Sequence, residues 1–251
     1  MPLHTERDGT GPRIVLVHGF TQTGRCWSPL AEDLATDHEV VRVDAPGHGR
    51  SAEVQAGLPD GARLIGDAGG LATYVGYSMG ARFLLHLGLL APSRVRALVL
   101  IGGTAGIEDP AQRAARRAQD LRTAQRLEEA GLEAFVDEWV AQPLFATLPP
   151  SGVFREERLA NTVPGLQSSL TRAGTGSQLP LWDRLAELAM PVLVVAGERD
   201  AKFAALAERM AAAIGENATL ALVPDAGHAA HLEQPDAFLR ILRPWLAERD
   251  L

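Results

Sequence analysis

The sequence GYSMG places Ser78 between Gly76 and Gly80, after an apolar run and before a helical pattern. Small residues on both sides of a serine permit the strained strand-to-helix turn that pushes the hydroxyl group outward. A hydroxyl held in this way can act as a nucleophile or take part in proton transfer. The alternative is a serine that only caps the following helix. The choice depends on whether the rest of the chain supplies catalytic partners.

Two further motifs supply the other residue types of a serine–acid–histidine triad. His228 ends the sequence DAGH, just after the last predicted strand, and Asp200 lies in GERDAKF, just after the strand before it. This chain order is the one expected for a triad at the edge of a parallel sheet. The acid would orient the imidazole and stabilise its protonated form. We therefore predict Ser78, Asp200 and His228 as the catalytic residues.

These assignments have rivals in the sequence. Six other histidines compete with His228, and only His231 among them also follows the last predicted strand. As the acid, Glu198 lies too close to its strand end, and Asp225 lies too close in sequence to His228. Asp200 could also serve as the cap of the helix that follows it.

The sequence VHGF follows the first buried run and suits a loop that presents backbone N–H groups. We expect an oxyanion hole formed by the N–H groups of Phe20 and of Met79, the residue after the serine. For the His18 side chain we expect a structural role, in which the ring ties the loop to neighbouring backbone.

Composition limits the class of protein. The 251 residues, 46% of them hydrophobic, can form one large domain with a sizeable core. No apolar run approaches the roughly 18 residues that span a bilayer, and the N-terminal stretch MPLHTERDGTGPR lacks the apolar region of a secretory signal. Cys26 is the only cysteine, which excludes an intrachain disulfide and a cysteine metal cluster. We expect a cytoplasmic protein without membrane contact.

The charged residues limit the ligands. The net charge of −7 argues against a general nucleic-acid surface. Lys202 is the only lysine among 24 basic residues, so an anion site must rely mainly on the planar, bidentate guanidinium group. The sequence contains neither a nucleotide-binding loop nor a metal cluster, so we expect no cofactor. We expect a small-molecule substrate and a monomer or small homo-oligomer.

Short apolar, β-branched runs alternate with helical patterns along most of the chain. Near-continuous apolar runs are typical of parallel strands covered on both faces. The alternation predicts an α/β fold, with a mostly parallel central sheet and helices on both faces. The strands are predicted at 13–19, 39–44, 72–76, 97–103, 192–197 and 219–224. The helices of this core are predicted at 27–35, 79–90, 202–214 and 235–248.

The alternation breaks between residues 108 and 188, where only helical patterns occur. The segment 110–131 is rich in Ala, Arg, Gln and Leu, and in the next segment Phe135 and Trp139 lie one helical turn apart. Insertions at the carboxyl ends of strands commonly form lids over a site. The alternative is a helical bundle that covers a face of the core and contacts no ligand. The predicted division is a single domain, 1–251, with a core at 1–107 and 189–251 and a lid at 108–188.

These motifs together resemble the α/β-hydrolase superfamily over nearly the whole chain. Besides GYSMG and the triad order, DAPGHGRS at 44–51 resembles the superfamily's D-x-P-G-x-G-x-S loop. The resemblance implies the α/β-hydrolase fold, with the helical lid inserted after the sixth strand. The serine at position 78 excludes the dehalogenase branch, whose nucleophile is aspartate.

A narrower resemblance is to the menaquinone-pathway synthases of 2-succinyl-6-hydroxy-2,4-cyclohexadiene-1-carboxylate. It rests on five segments in order: GYSMGAR, FVDEWVAQPLFATLP, LTRAGTGSQLPLWDRL, GERDAKF and DAGHAAHLEQP. It implies a lyase whose triad acts as a base, removes a proton from a substrate with several carboxylates, and expels pyruvate without hydrolysis. The competing functions are a carboxylic-ester or lactone hydrolase that uses Ser78 as nucleophile, and a ligand receptor without catalysis.

The same resemblance implies cationic residues that bind the substrate carboxylates. Arg82 matches the family arginine one helical turn after the serine. Arg116 matches the arginine of the first lid helix, with Arg117 or Arg113 as alternatives. The structural alternative for these side chains is a solvated helical face.

Two aromatic residues are also implied as substrate contacts: Trp139 matches the lid tryptophan and Tyr77 the tyrosine before the serine. A third family arginine is missing, because Asn161 stands at its position. Arg158, one turn earlier, is the candidate replacement. This departure bears on the identity of the substrate and not on the fold or the triad.

Overall fold

The computed structural model describes all 251 residues of the chain. Seven strands form one sheet with the order β1-β3-β2-β4-β5-β6-β7, and every neighbouring pair is parallel except the antiparallel pair β1 and β3. The strands are β1 Thr5–Asp8, β2 Arg13–Val17, β3 Glu39–Val43, β4 Ala72–Tyr77, β5 Val95–Ile101, β6 Val192–Gly197 and β7 Ala218–Val223. The six predicted strands are confirmed. The strand β1 was not predicted because its sequence, TERD, contains no apolar residue.

Ten α-helices accompany the sheet, and the four helices predicted for the core are among them. The helix α2 was not predicted, because three glycines interrupt its apolar pattern. Small residues are needed where α2 packs on α3: a Cβ atom at Gly66 would lie 2.7 Å from the Leu87 side chain. The helices are α1 Ser28–Leu34, α2 Leu58–Gly69, α3 Met79–Leu90, α4 Pro110–Val140, α5 Pro150–Val153, α6 Arg155–Leu159, α7 Val163–Ala173, α8 Ala201–Ile214, α9 Ala230–Glu233 and α10 Pro235–Ala247.

The two faces of the sheet build two hydrophobic cores. Along β2, Val15 and Val17 belong to the core that contains α3, while Ile14 and Leu16 belong to the core that contains α1 and α10. Successive side chains of a strand point to opposite faces, so a continuous apolar run is required to fill both cores. The sheet is therefore covered on both sides by helices, as the apolar runs predict.

The helical insertion, residues 108–188, connects β5 to β6 and contains no strand. The insertion was expected after the sixth strand, but it follows the fifth strand of the chain. Only one strand, the short β1, precedes the first strand predicted from the sequence, so five strands come before the insertion. Its first helix, α4, is kinked at Gly131, whose backbone (φ 74°, ψ 167°) is not helical. No helix of the structure combines the length and the apolar character needed to cross a membrane.

The topology brings three chain segments to one edge of the sheet. β4, β6 and β7 are parallel, and β6 and β7 are neighbours. Their carboxyl ends lead into Ser78, Asp200 and the loop that contains His228. Ligand sites of open α/β sheets lie outside the carboxyl ends of the strands.

Candidate active site

Ser78 lies at the sharp turn between β4 and α3, with φ 51° and ψ −102°, a conformation that is unfavourable for a residue with a side chain. Its neighbours must be glycines. A Cβ atom at Gly80 would overlap the carbonyl oxygen of Val17, and a Cβ atom at Gly76 would lie 2.7 Å from the Gly80 carbonyl carbon. The strained turn places the serine hydroxyl in the cavity described below, instead of in a capping bond to α3.

The structure brings Ser78, His228 and Asp200 into one hydrogen-bonded chain. The Nε2 atom of His228 lies 3.2 Å from Ser78 Oγ, and its Nδ1 atom lies 3.0 Å from Asp200 Oδ2. In the neutral tautomer with the proton on Nδ1, the ring donates to Asp200 and accepts from the Ser78 hydroxyl. This is the geometry that a general base needs to take up a proton through the serine.

Asp200 makes both of the contacts that its sequence position allows, a helix cap and a contact with His228. Its Oδ1 atom accepts the N–H of Phe203 and so caps α8, while its Oδ2 atom faces His228. Burial by itself disfavours the ionised carboxylate, but the bonds from His228 and Phe203 outweigh it and lower the pKa of Asp200. The carboxylate is therefore ionised at neutral pH and can stabilise a protonated imidazole.

The rival residues lie elsewhere. Asp225 is on the surface, where it accepts a hydrogen bond from Arg199, and Glu198 is exposed. His231 is buried against the rings of Trp27 and Tyr77, with centroid distances of 4.3 and 4.7 Å. None of these side chains reaches Ser78.

Two supporting residues of the His228 loop were missed by the sequence analysis. The buried Glu233 accepts the N–H groups of Gly227 and Ala229, one on each side of the histidine. The ring of Phe203 packs on the imidazole with a centroid distance of 4.3 Å. Both contacts restrict the orientation of His228, and only the folded loop brings their partners together.

The two N–H groups predicted for an oxyanion hole border the same cavity. Met79 is the first residue of α3, so its N–H has no intrahelical acceptor. The N–H of Phe20, in the loop after β2, also has no acceptor in the protein. Both residues line the cavity together with Ser78.

The His18 ring ties this loop to neighbouring backbone. Its Nδ1–H donates to the Gly19 carbonyl at 2.8 Å, and its Nε2 atom accepts the N–H of Ala45 at 3.0 Å. Burial lowers the pKa of His18 to about 4, although the bond to Gly19 acts in the opposite direction. The ring is neutral at physiological pH and does not line the cavity, a position that agrees with a structural role.

A cavity of about 580 Å³ separates the triad from the insertion. Ser78 and His228 form part of its floor, and residues of α4 and α7 form part of its wall. The insertion therefore lies over the predicted catalytic residues, and its role as a lid stays a prediction. No group of three or more His, Cys, Asp or Glu side chains in the structure could hold a metal ion.

Arg82 lines this cavity and is only 7% exposed. Its Nη1–H donates to the carbonyl of Ala173 at 2.7 Å, and the guanidinium has no carboxylate within salt-bridge distance. Burial, and next the nearby charge of Arg116, lower the pKa of Arg82 to about 10, which leaves it protonated at neutral pH. A buried cation without an anionic partner is costly, so the cavity is suited to an anionic ligand.

Arg116 also lines the cavity, whereas its two alternatives, Arg113 and Arg117, do not. Its Nε–H donates to Asp120 at 2.7 Å. The buried Asp120, missed by the sequence analysis, also accepts the N–H of Gly176 and thereby joins α4 to the segment after α7. The terminal nitrogens of Arg116 make no hydrogen bond in the structure.

The two aromatic residues implied as substrate contacts differ in position. Trp139 lines the cavity, and its ring packs against Phe20 at a centroid distance of 5.0 Å. Its indole N–H is buried without an acceptor. Tyr77 does not line the cavity, so the prediction that it contacts substrate is not supported: strand alternation turns its ring into the core beneath His228.

The candidate replacement for the missing arginine also lies outside the cavity. Arg158 is 1% exposed, and neither it nor Asn161 lines the cavity wall. Both side chains point instead to the loop after β2. Two other cations that were not predicted do line the cavity: Lys202, and Arg209, which pairs with Glu108.

The sequence model of the Alpha/beta hydrolase family matches residues 14–241. The chain belongs to this family, as its motifs predict.

Within the family, the narrower resemblance is also confirmed. The chain is similar to the 2-succinyl-6-hydroxy-2,4-cyclohexadiene-1-carboxylate synthase of Salmonella newport (strain SL254), with 34% identity over 263 residues that cover 97% of this chain and all of the relative. The structure is similar to that of MenH from S. aureus, with 30% identity, a TM-score of 0.90 and coverage of 99% of both chains. It is also similar to a malate-bound thermophilic esterase from Thermogutta terrifontis, with 25% identity, a TM-score of 0.85 and coverage of 98% of this chain and 93% of the esterase.

Proposed function

We propose that this protein is a 2-succinyl-6-hydroxy-2,4-cyclohexadiene-1-carboxylate synthase, a lyase that eliminates pyruvate from a cyclohexene substrate bearing several carboxylates. The observation that carries the proposal is the position of Arg82. This buried guanidinium has no carboxylate partner and lines the same cavity as the Ser78 hydroxyl. The similarity to synthases of this name over nearly the full chain supports the choice of substrate.

In the proposed reaction the triad acts as a base. The Ser78 oxygen removes a proton from a substrate carbon while its own proton passes to Nε2 of His228, 3.2 Å away. The electrons of the broken C–H bond give the ring a second carbon–carbon double bond, and the C–O bond to the enolpyruvyl group breaks. Pyruvate leaves as its enolate and takes up a proton, so no water is consumed.

The surrounding groups stabilise the charges that develop. The ionised Asp200 stabilises the imidazolium form of His228 through the 3.0 Å contact. The N–H groups of Phe20 and Met79 stabilise the negative charge on the carbonyl oxygen next to the carbon that loses its proton. Arg82 and Arg116 bind the carboxylates of the substrate, and Trp139 forms part of the cavity wall beside them.

The second candidate function is a carboxylic-ester or lactone hydrolase. It is favoured by the Ser78–His228 contact, which equally suits a nucleophilic serine, and by the likeness to a thermophilic esterase. A general esterase binds the acyl group of its substrate in an apolar groove. Four cationic side chains line the cavity of this protein: Arg82, Arg116, Lys202 and Arg209. We therefore favour the lyase.

The test is a comparison of two substrates. Purified protein is mixed with the succinyl-enolpyruvyl-hydroxycyclohexene-carboxylate intermediate, and pyruvate is measured by coupled reduction with lactate dehydrogenase. Hydrolysis of p-nitrophenyl acetate is measured in parallel. We expect pyruvate release that is lost in Ser78→Ala and retained in Ser168→Ala, whose hydroxyl does not line the cavity. Ester hydrolysis without any pyruvate release would assign the protein to the hydrolases.

A further inference from the structure

The loop after β2, residues 18–24, carries the Phe20 N–H and is held by the insertion. The Nδ2–H of Asn161 donates to the Thr21 carbonyl at 2.7 Å, and the Nη1–H of Arg158 donates to the Thr21 hydroxyl. A third contact joins the Thr23 hydroxyl to Glu157 at 3.2 Å. The partners are more than 130 positions apart in the chain, so these bonds exist only when the insertion is folded onto the core.

Thr21 has a backbone conformation that needs outside support. Its φ is 67°, in the left-handed region, and it is a β-branched residue, for which this region is especially unfavourable. The residue is fully buried, and it directly follows Phe20. Both polar groups of Thr21 that face the insertion, the hydroxyl and the carbonyl, are bound there. A change in Thr21 would therefore disturb the peptide group between Phe20 and Thr21, and through the Phe20 backbone it would shift the Gly19–Phe20 peptide group, which carries the Phe20 N–H.

Arg158 is bound to protein groups on both sides. Its Nε–H donates to the Val153 carbonyl at 2.6 Å, and its guanidinium forms no ion pair. It is 1% exposed and does not line the cavity, so it cannot contact a ligand there. Its charge acts on the loop after β2, where it adds to the lowering of the His18 pKa. A buried cation without an ion-pair partner lowers the stability of the fold. Arg158 nevertheless attaches α6, the helix that contains it, to Thr21.

Asn161 extends the same attachment to a second loop. While its Nδ2–H binds Thr21, its Oδ1 atom accepts the N–H of Gly49 at 2.9 Å, in the DAPGHGRS segment. A single amide thus bridges the two loops beside the triad. An arginine at this position has no acceptor atom and could not accept the bond from Gly49.

We propose that Arg158 and Asn161 are positioning residues that act through Thr21 to fix the Phe20 N–H as an oxyanion donor. The inference rests on the proposed function of the Ser78 site, because it assumes that charge develops near this N–H. It assigns the insertion a part in the chemical step, in addition to covering the substrate. It also accounts for Asn161 where related synthases are expected to have an arginine.

The test uses an isosteric pair at Thr21. Thr21→Val removes the hydroxyl and keeps the shape, and Thr21→Ser keeps the hydroxyl and serves as the matched control. We expect Thr21→Val and Arg158→Met each to lower kcat by ~10–100-fold, because a misplaced oxyanion donor loses part of the ~10²–10³-fold effect of a whole one. KM should stay within about twofold, and Thr21→Ser should keep most of kcat. The double variant should be little worse than either single variant, because both remove the same bond.

Two substrates separate this role from substrate binding. The kcat loss should be the same for pyruvate release and for hydrolysis of neutral p-nitrophenyl acetate, since both develop charge on an oxygen. Hydrogen exchange, followed by mass spectrometry, should be faster in the peptide containing residues 18–23 of both impaired variants. A rise in KM for the carboxylate substrate alone would mean that Arg158 binds substrate, and an unchanged kcat in Thr21→Val would refute the proposal.

Failure of the inference and failure of the proposed function give different results. If the wild-type protein hydrolyses the ester and releases no pyruvate, the lyase assignment is wrong and the ester data alone decide the role of Arg158. If Arg158→Met does not fold, as its melting curve will show, the pair Thr21→Val and Thr21→Ser decides the question with the cation in place.

Discussion

Replacement of Arg82 tests the substrate class most directly. In Arg82→Ala the cavity loses a buried guanidinium that we expect to hold a substrate carboxylate in a partly dry site. A hydrogen bond to a charged group contributes about 1.5–3 kcal/mol, which corresponds to a loss of roughly 10–150-fold in kcat/KM. The protein also loses the 2.7 Å bond to the Ala173 carbonyl, which should lower stability by about 1 kcal/mol.

Arg82→Lys should recover only part of the loss. An ammonium group keeps the charge, but it cannot present the planar fork that binds a carboxylate through two parallel N–H bonds while a third N–H binds Ala173. The control is Arg63→Ala, which removes an exposed arginine paired with Asp60 on α2. We expect this variant to match the wild type on every substrate.

The assay compares an anionic and a neutral substrate in the same variants. The kcat/KM for pyruvate release should fall in Arg82→Ala, while hydrolysis of p-nitrophenyl acetate should be nearly unchanged, because that ester presents no carboxylate. Thermal unfolding of each variant shows how much of any loss is due to stability. Equal losses on both substrates would mean that Arg82 only supports the turn at Ser78, and the physical basis for the lyase assignment would be gone.

The remaining predictions concern the triad, the turn and acid stability. Asp200→Asn should lower kcat on the order of 10²–10⁴-fold, because an amide favours the wrong tautomer of the imidazole. The control is Asp225→Asn on the surface, and full activity in Asp200→Asn would place the catalytic acid elsewhere. Gly80→Ala should lower the free energy of unfolding by roughly 3 kcal/mol, since its Cβ would overlap a backbone carbonyl of β2. Gly57→Ala should not, because its Cβ would make only an ordinary contact, 3.4 Å from the Arg172 carbonyl oxygen, and equal urea midpoints for the two variants would contradict this reasoning. Burial lowers the pKa values of four histidines below 6.5, so the unfolded chain binds more protons than the folded one as the pH falls below 6.5, and stability is lost between pH 6.5 and about 3. At pH 5 this costs about 2 kcal/mol for each of these histidines, and the melting temperature should drop on the order of 20 °C from its value at pH 7.5. A melting temperature that does not change over this range would show that these rings are not kept neutral by burial. The rings are those of His18 and His86 (pKa about 4 each) and of His48 and His231 (about 3 each).

Local sequence was enough to predict the core of the fold. Continuous β-branched runs can be buried only as parallel strands covered on both faces, and all six such runs became strands. The turn at Ser78 was predictable because only glycine fits at positions 76 and 80, where the backbones of β2 and α3 nearly touch. The triad followed from the same reasoning, since residues at the carboxyl ends of parallel strands meet at one edge of the sheet.

Sequence patterns did not predict which residues face the site where this depends on the direction of a single side chain. The resemblance to the synthases implied that Tyr77 contacts the substrate, yet the alternation of β4 turns its ring into the core. Asp200 was preferred to Asp225 from the sequence because Asp225 lies too close to His228, but only the structure shows that the Asp200 carboxylate faces the imidazole while that of Asp225 pairs with Arg199. Such differences arise from the twist of the sheet and from loop conformation, which propensity and spacing do not specify.

The sequence by itself determined the α/β fold, the strained turn at Ser78 and the set of chemical groups available for catalysis, because these depend on short-range patterns and on the size of a few residues. Only the tertiary structure decided how the insertion meets the core. It placed Arg82 and Arg116 in one cavity, joined Asp120 to Gly176, and turned Arg158 toward Thr21 and away from the ligand space. These contacts link segments that are far apart in the chain, and they form only when the apolar surfaces of both parts are buried together, so no local pattern could encode them.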